Sequence, residues 1–138
     1  QIALGLALAR PERTVVCLDG DGAVLMHMGA LALIGARRPA HFVHVVLNNG
    51  AHDSVGGQPT AGYDVDLPAL ALACGYAAAE RVAAVDELRR ALAAALERGG
   101  PTLLEVRIHP GARPDLGRPT STPVENKRAF VARLRHQV

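Results

Sequence analysis

A chain of 138 residues that is 49% hydrophobic but only 3% aromatic, with no Trp, has room for one domain whose core is built from Ala, Val, Leu and Ile. That palette fits helices on a parallel sheet and speaks against a β-sandwich. Its 15 Lys and Arg against 13 Asp and Glu, scattered apart from Arg37-Arg38, Arg89-Arg90 and the stretch from Lys127 to Arg135, speak against nucleic acid, and no apolar run approaches the roughly 20 residues that cross a bilayer.

Gln1 opens directly on a helical Ala/Leu pattern (Ile2, Leu4, Leu6, Ala7, Leu8) without an N-cap, as a chain cut mid-helix would, so a fragment lacking N-terminal sequence is expected. Pro11-Glu12 ends that pattern. Thr14 to Leu18 is a continuous apolar run, the signature of a strand buried on both faces, and it leads into Asp19-Gly20-Asp21-Gly22. Ala23 to Arg37 has helical spacing and stops before Pro39; His41 to Leu47 is a second apolar run, ending in Asn48-Asn49-Gly50. Residues 50–65 carry no period and form a long polar loop of the kind that is more often functional than idle. Asp66-Leu67-Pro68 opens a helix to Ala73 that Gly75 stops, and Tyr76 to Val82 reads as a strand. Asp86 to Arg98 forms an amphipathic helix closed by Gly99-Gly100, and Thr102 to Ile108 a last strand. The short, Arg-rich end after Pro110 is harder to place.

This alternation predicts right-handed crossovers and an α/β fold, a parallel sheet with helices on both faces, whose ligands sit beyond the carboxyl ends of the strands. Asp21 and Asn49 both fall there. Bare backbone N–H groups around Gly20 and Gly22 favour a phosphate, while the Asp21 carboxylate repels one; a magnesium ion between them resolves the conflict, since Mg²⁺ takes carboxylate, amide and carbonyl oxygens together with phosphate oxygens. Asn49 offers an amide oxygen and Ala51 a main-chain carbonyl. Taken singly, each glycine-rich turn is as well explained as a plain connection. Neither GxGxxG nor a Walker A loop occurs.

Gly20-Asp21-Gly22, then 25 residues, then Asn48-Asn49 resembles the signature of thiamine-diphosphate-dependent enzymes. The stretch from Asn48 to Thr60 is similar to that of phosphonopyruvate decarboxylases, as is the tail from Asp115 to Lys127, and sulfopyruvate decarboxylases resemble it less. The resemblance implies a thiamine-diphosphate-binding fold. It further implies Asp21, Asn49 and the Ala51 carbonyl on Mg²⁺, with Gly20, Gly22 and Ala23 holding the diphosphate. The activity implied is decarboxylation of 3-phosphonopyruvate to phosphonoacetaldehyde and CO2 in phosphonate biosynthesis. It also implies a homo-oligomer and a separate pyrimidine-binding domain or subunit, without which residues 1–138 are expected to be inactive. The alternatives are a sulfopyruvate decarboxylase β-type subunit, another 2-oxo-acid decarboxylase, or a non-catalytic phosphate-binding module.

His52, three residues past Asn49, is the candidate to meet an anionic substrate or move a proton, against the alternative of an exposed loop histidine. Asp53, Ser54, Gln58 and Thr60 either contact ligand or shape the loop. His27, His41, His44 and His109 are expected to be structural, and Arg113 and Arg118 to lie in a solvated tail. Cys17 and Cys74 lack a CxxC partner and read as small buried hydrophobes in a reducing, cytoplasmic setting.

Overall fold

The computed structural model describes residues 1–135. Four parallel strands form its main sheet: β1 (Val15–Gly20), β2 (Phe42–Asn48), β5 (Ala78–Val82) and β6 (Thr102–Arg107), in the order β1-β2-β6-β5. The register sets Gly20 opposite Leu47, Asn48 opposite Arg107, and Val82 opposite Val106, so all four carboxyl ends lie along one edge. That edge is where ligands of such sheets bind.

Side-chain alternation splits the core in two. On one face Val15, Phe42, Val46 and Leu103 pack against α1 (Ile2–Ala9), α2 (Asp21–Met26), α3 (Gly29–Arg37) and α4 (Leu67–Ala73), through Leu4, Ala7, Val24, Leu31, Ile34, Leu67 and Ala71. On the other, Val43, Val45, Val82, Leu104 and Val106 meet Ala91 and Ala95 of α5 (Val85–Glu97). A parallel sheet with helices on both faces is thus the observed architecture.

Several local expectations need correction. The helix after the glycine turn begins at Asp21 rather than Ala23, and it is two helices. The His27 N–H is shared between the carbonyls of Ala23 and Val24, both at 3.2 Å, and Ala30 and Leu31 then bond three residues back, to His27 and Met28. That tightened turn ends α2, and Gly29 opens α3, which lays Gly35 directly against the Cys74 carbonyl. Arg38 closes α3 in the left-handed region (φ 47°, ψ 54°), because Pro39 bars it from helical geometry. β1 is not buried on both faces: Val16 is 46% and Leu18 67% exposed, since β1 is the edge strand and α5 reaches only the far half of the sheet.

The loop at 50–65 holds a small antiparallel hairpin, β3 (Ala51–His52) with β4 (Gln58–Pro59), joined by a 3₁₀ turn at Asp53–Val55. Thr60 N–H donates to the Gly50 carbonyl (2.9 Å) and closes it. At the far end, which the sequence leaves unplaced, α6 (Pro123–Arg135) forms on a capping box in which Thr122 and Glu125 bond reciprocally, the Thr122 backbone N–H reaching Glu125 Oε2 at 2.7 Å. Among the described residues no helix is long and apolar enough to cross a membrane.

Candidate functional site

β1 delivers Gly20 in extended geometry (φ −88°, ψ 159°), and the chain turns at once into α2, whose first residue is Asp21. Asp21 is 1% exposed. Its Oδ2 accepts a short hydrogen bond from the Thr60 hydroxyl, and Thr60 Oγ1 accepts from Gly62 N–H at 3.0 Å. Gly62 lies so close that a Cβ there would overlap the Asp21 carboxylate and come 2.7 Å from Asn48 Oδ1. Among the described residues no Lys, Arg or His is paired with Asp21. A carboxylate held out of water without a positive partner is costly, so this corner suits a cation.

The tip of β2 supplies two asparagines with different jobs. Asn48 is fully buried: Nδ2 donates to the Gly62 carbonyl (2.6 Å) and to Glu105 Oε1 (2.7 Å), while Oδ1 accepts from Gly50 N–H (3.1 Å). Glu105, also fully buried, is flanked by Arg81 Nε on Oε2 and Arg107 Nε on Oε1, each at 2.8 Å. The Arg107 guanidinium in turn lies 4.4 Å from the centre of the Tyr63 ring. Asn49 is half-buried; its Oδ1 accepts from Ala51 N–H (3.0 Å) and its Nδ2 donates to Asp53 Oδ2 (2.7 Å). Asp53 also accepts from Gly111 N–H (2.7 Å), tying the hairpin to the segment after β6. Gly50 turns the corner at φ +68°, a value that favours glycine.

The hairpin folds His52 back over the start of α2: a Cβ on Gly22 would stand 2.5 Å from His52 Nδ1. Of the candidates, the structure joins Asp21 to Thr60 and His52 to Gly22, and gathers Asn49, Ala51 and Asp53 in one turn. No hydrogen bond joins Asn49 to Asp21 among the described residues. Ser54 and Gln58 are exposed. His27, His41 and His109 are exposed rather than packed, as their places at a helix break and at strand ends dictate.

His44 does have a structural place. It is buried between Asp19 (Nε2 to Oδ2, 2.9 Å) and the Tyr76 hydroxyl (3.2 Å from Nδ1). That hydrogen bond holds the Asp19 carboxyl below the usual carboxylate range. Burial, reinforced by the neighbouring Asp19, pushes the Cys17 thiol up to about 11. Burial likewise raises the Tyr76 phenol. Along the outer edge of β1 runs a cavity of about 790 Å³ lined by Leu6, Val16, Leu18, Val24 and Phe130, reaching Ala23 at its upper end.

The donors that meet at Asp21 are hard oxygens, its own carboxylate and the Thr60 hydroxyl, with Asn48 Oδ1 beside them across Gly62. Such a set fits Mg²⁺ and would not select a soft metal. Residues 1–106 match the family model described as thiamine pyrophosphate enzyme, C-terminal TPP binding domain. The chain belongs to this family. Thiamine pyrophosphate and thiamine diphosphate are the same compound.

The chain is 53% identical over 131 residues to a phosphonopyruvate decarboxylase of Streptomyces viridochromogenes, covering 95% of this chain and 33% of that protein. It is 37% identical over 110 residues to a sulfopyruvate decarboxylase subunit beta of Methanothermobacter thermautotrophicus, covering 80% of this chain and 56% of that one. Among solved structures it resembles a thiamine diphosphate-dependent 4-hydroxybenzoylformate decarboxylase of Rhodococcus jostii, with a TM-score of 0.67 and 29% identity over 78% of this chain and 22% of that one. The chain therefore spans about a third of the length of the phosphonopyruvate decarboxylase it matches (33%).

Sequence reasoning passed over Glu105 and the separate role of Asn48. The signal for Glu105 was present: a carboxylate inside the otherwise apolar run Leu103-Leu104-Glu105-Val106 survives only if it is paired.

Proposed function

We propose that this chain is the diphosphate- and magnesium-binding part of a thiamine-diphosphate-dependent decarboxylase acting on 3-phosphonopyruvate. The observation that carries the reading is the buried, cation-seeking carboxylate of Asp21 at the β1 tip, in a chain 53% identical to a phosphonopyruvate decarboxylase. Asp21, Asn49 and the Ala51 carbonyl would hold the metal, and backbone N–H groups at Gly22 and Ala23 the diphosphate. When bound, thiamine diphosphate supplies the nucleophilic carbon and the electron sink that loss of CO2 requires.

The chain's own contribution is geometry. Gly20 leaves open space where a side chain would stand, while the hairpin seats the His52 ring on Gly22, within reach of an anion or a transferable proton. A pyrimidine-binding domain or subunit completes the site. The exposed apolar residues Val16 and Leu18, with the free edge of β1, offer it a surface to cover. Residues 1–138 alone release no CO2 in this reading, and the active species is an oligomer in the cytoplasm.

The 37% identity to a sulfopyruvate decarboxylase subunit beta supports a second reading with the same cofactor site and a sulfonate substrate. The intact protein should turn over 3-phosphonopyruvate in preference to sulfopyruvate. A preference for the sulfonate would keep the cofactor assignment and replace the substrate; loss of neither activity in Asp21→Ala would remove the site assignment itself.

A further inference from the structure

Glu105 is the most buried ionisable side chain among the described residues: 0% exposed, paired on one oxygen with Arg81 Nε and on the other with Arg107 Nε, and bonded to Asn48 Nδ2 at 2.7 Å. Replacing such a group with apolar packing is often neutral or better for stability, so stability is a weak account of it. Its geometry offers another. Two arginines fix the carboxylate, and the carboxylate accepts one of the two N–H bonds that Asn48 can donate. That forces the Asn48 amide into one orientation, with its second N–H on the Gly62 carbonyl and its oxygen toward Gly50 N–H.

Each of these two bonds holds one wall of the pocket. The Gly50 bond sets the turn that presents Asn49 and the Ala51 carbonyl, whereas the Gly62 bond anchors the segment whose Thr60 hydroxyl and Gly62 backbone close on Asp21. Arg107 adds a second hold on the same segment by lying over Tyr63. A flipped Asn48 amide would face its own donors toward Gly50 N–H, and both walls would come loose together.

We infer that Glu105 is a positioning residue for the metal and diphosphate pocket, acting through Asn48; this rests on the site assignment proposed above. It touches neither ligand. It fixes the amide that registers the β2 tip against the 60–62 segment, in the way that partners behind a metal's direct ligands orient them.

The test uses the intact protein with Mn²⁺ as the probe, its free concentration followed by electron paramagnetic resonance in the presence of thiamine diphosphate. Wild type is compared with Glu105→Gln, Asn48→Ala and the double variant. Glu105→Gln should weaken Mn²⁺ binding about 10- to 100-fold, the range for disturbed partners of metal ligands. The double variant should bind no worse than Asn48→Ala alone, because the two residues act along one chain of contacts. A merely structural role would make the two losses multiply.

Wild-type affinity in Glu105→Gln, or multiplying losses, would overturn the inference while leaving the site assignment standing. A wild-type protein that fails to bind Mn²⁺ with thiamine diphosphate would overturn the assignment and this inference with it. If Glu105→Gln does not fold, Asn48→Ala decides alone, since it keeps both arginine pairs while removing the amide through which Glu105 reaches both walls; unchanged Mn²⁺ affinity there refutes the inference.

Discussion

Replacing Gly62 with alanine would drive one methyl group into the most crowded corner of the site. The new Cβ would fall 2.7 Å from Asn48 Oδ1 and 3.0 Å from Asp21 Cβ, closer still to the Asp21 carboxylate, and real Cβ atoms essentially never sit that near. Gly62 has no positive φ, so its backbone accepts alanine and the cost is wholly steric. Neither neighbour can retreat easily: Asp21 is buried under the Thr60 hydroxyl, and Asn48 is held by three hydrogen bonds, from its Nδ2 to Gly62 and Glu105 and to its Oδ1 from Gly50. Overpacking of this kind costs about 1–3 kcal/mol, equivalent to roughly 5- to 150-fold in an equilibrium constant. Urea denaturation should show a lower midpoint with an unchanged slope. Mn²⁺ affinity with thiamine diphosphate should fall at least about tenfold, because the displaced groups are the proposed metal's surroundings. A Gly62→Ala protein with the wild-type midpoint and wild-type affinity would refute this picture of the pocket.

Thr60→Val should leave Asp21 without its hydroxyl donor and lower stability by about 1–3 kcal/mol in metal-free protein, and Mg²⁺ with thiamine diphosphate should shrink that gap in a thermal melt, since a cation then answers the carboxylate. Gly35→Ala should destabilise the fold without reference to any ligand, because its Cβ would overlap the Cys74 carbonyl and stand 3.1 Å from Gly75 Cα; an unchanged denaturation midpoint would contradict the α3–α4 packing. Cys17, pushed up to about 11 by burial and by Asp19, should resist alkylation near neutral pH and react faster in Asp19→Asn, as read by peptide mass spectrometry. Asp19 titrates below its ordinary value of 3.8 in the folded state. The stability from its bond to His44 is therefore fully present above 3.8 and fades as pH falls through the lowered native range, and His44→Gln should flatten that part of an acid-unfolding curve.

Much of the fold was legible because parallel strands and amphipathic helices write themselves as runs and periods. Val43, Val45, Val46, Leu103 and Leu104 are buried where continuous apolar runs placed them, and Asp66 caps α4 by accepting from Ala69 N–H at 3.3 Å. What escaped depended on neighbours that are distant in sequence. An exposed edge strand and a doubly buried one read alike from within, so Val16 and Leu18 looked like core until the sheet order put β1 at the border. The break at His27 has no proline to announce it and shows only in carbonyls shared across the turn.

The site divides in the same way. Gly20, Asp21, Gly22, Asn49 and Ala51 lie in two short motifs and could be picked out by type and spacing. The bonds from Thr60 to Asp21, from Asn48 to Glu105, and the seat of His52 over Gly22 join segments 39, 57 and about 30 residues apart, and nothing local encodes them.

The most direct test of the central claim is a calorimetric titration of thiamine diphosphate into the intact protein, with Mg²⁺ present and omitted, alongside Asp21→Asn. Binding that requires Mg²⁺ and disappears in Asp21→Asn is the expected result. Equal binding without the metal, or an unaffected Asp21→Asn variant, would contradict the assignment of the β1 and β2 tips as the metal and diphosphate site.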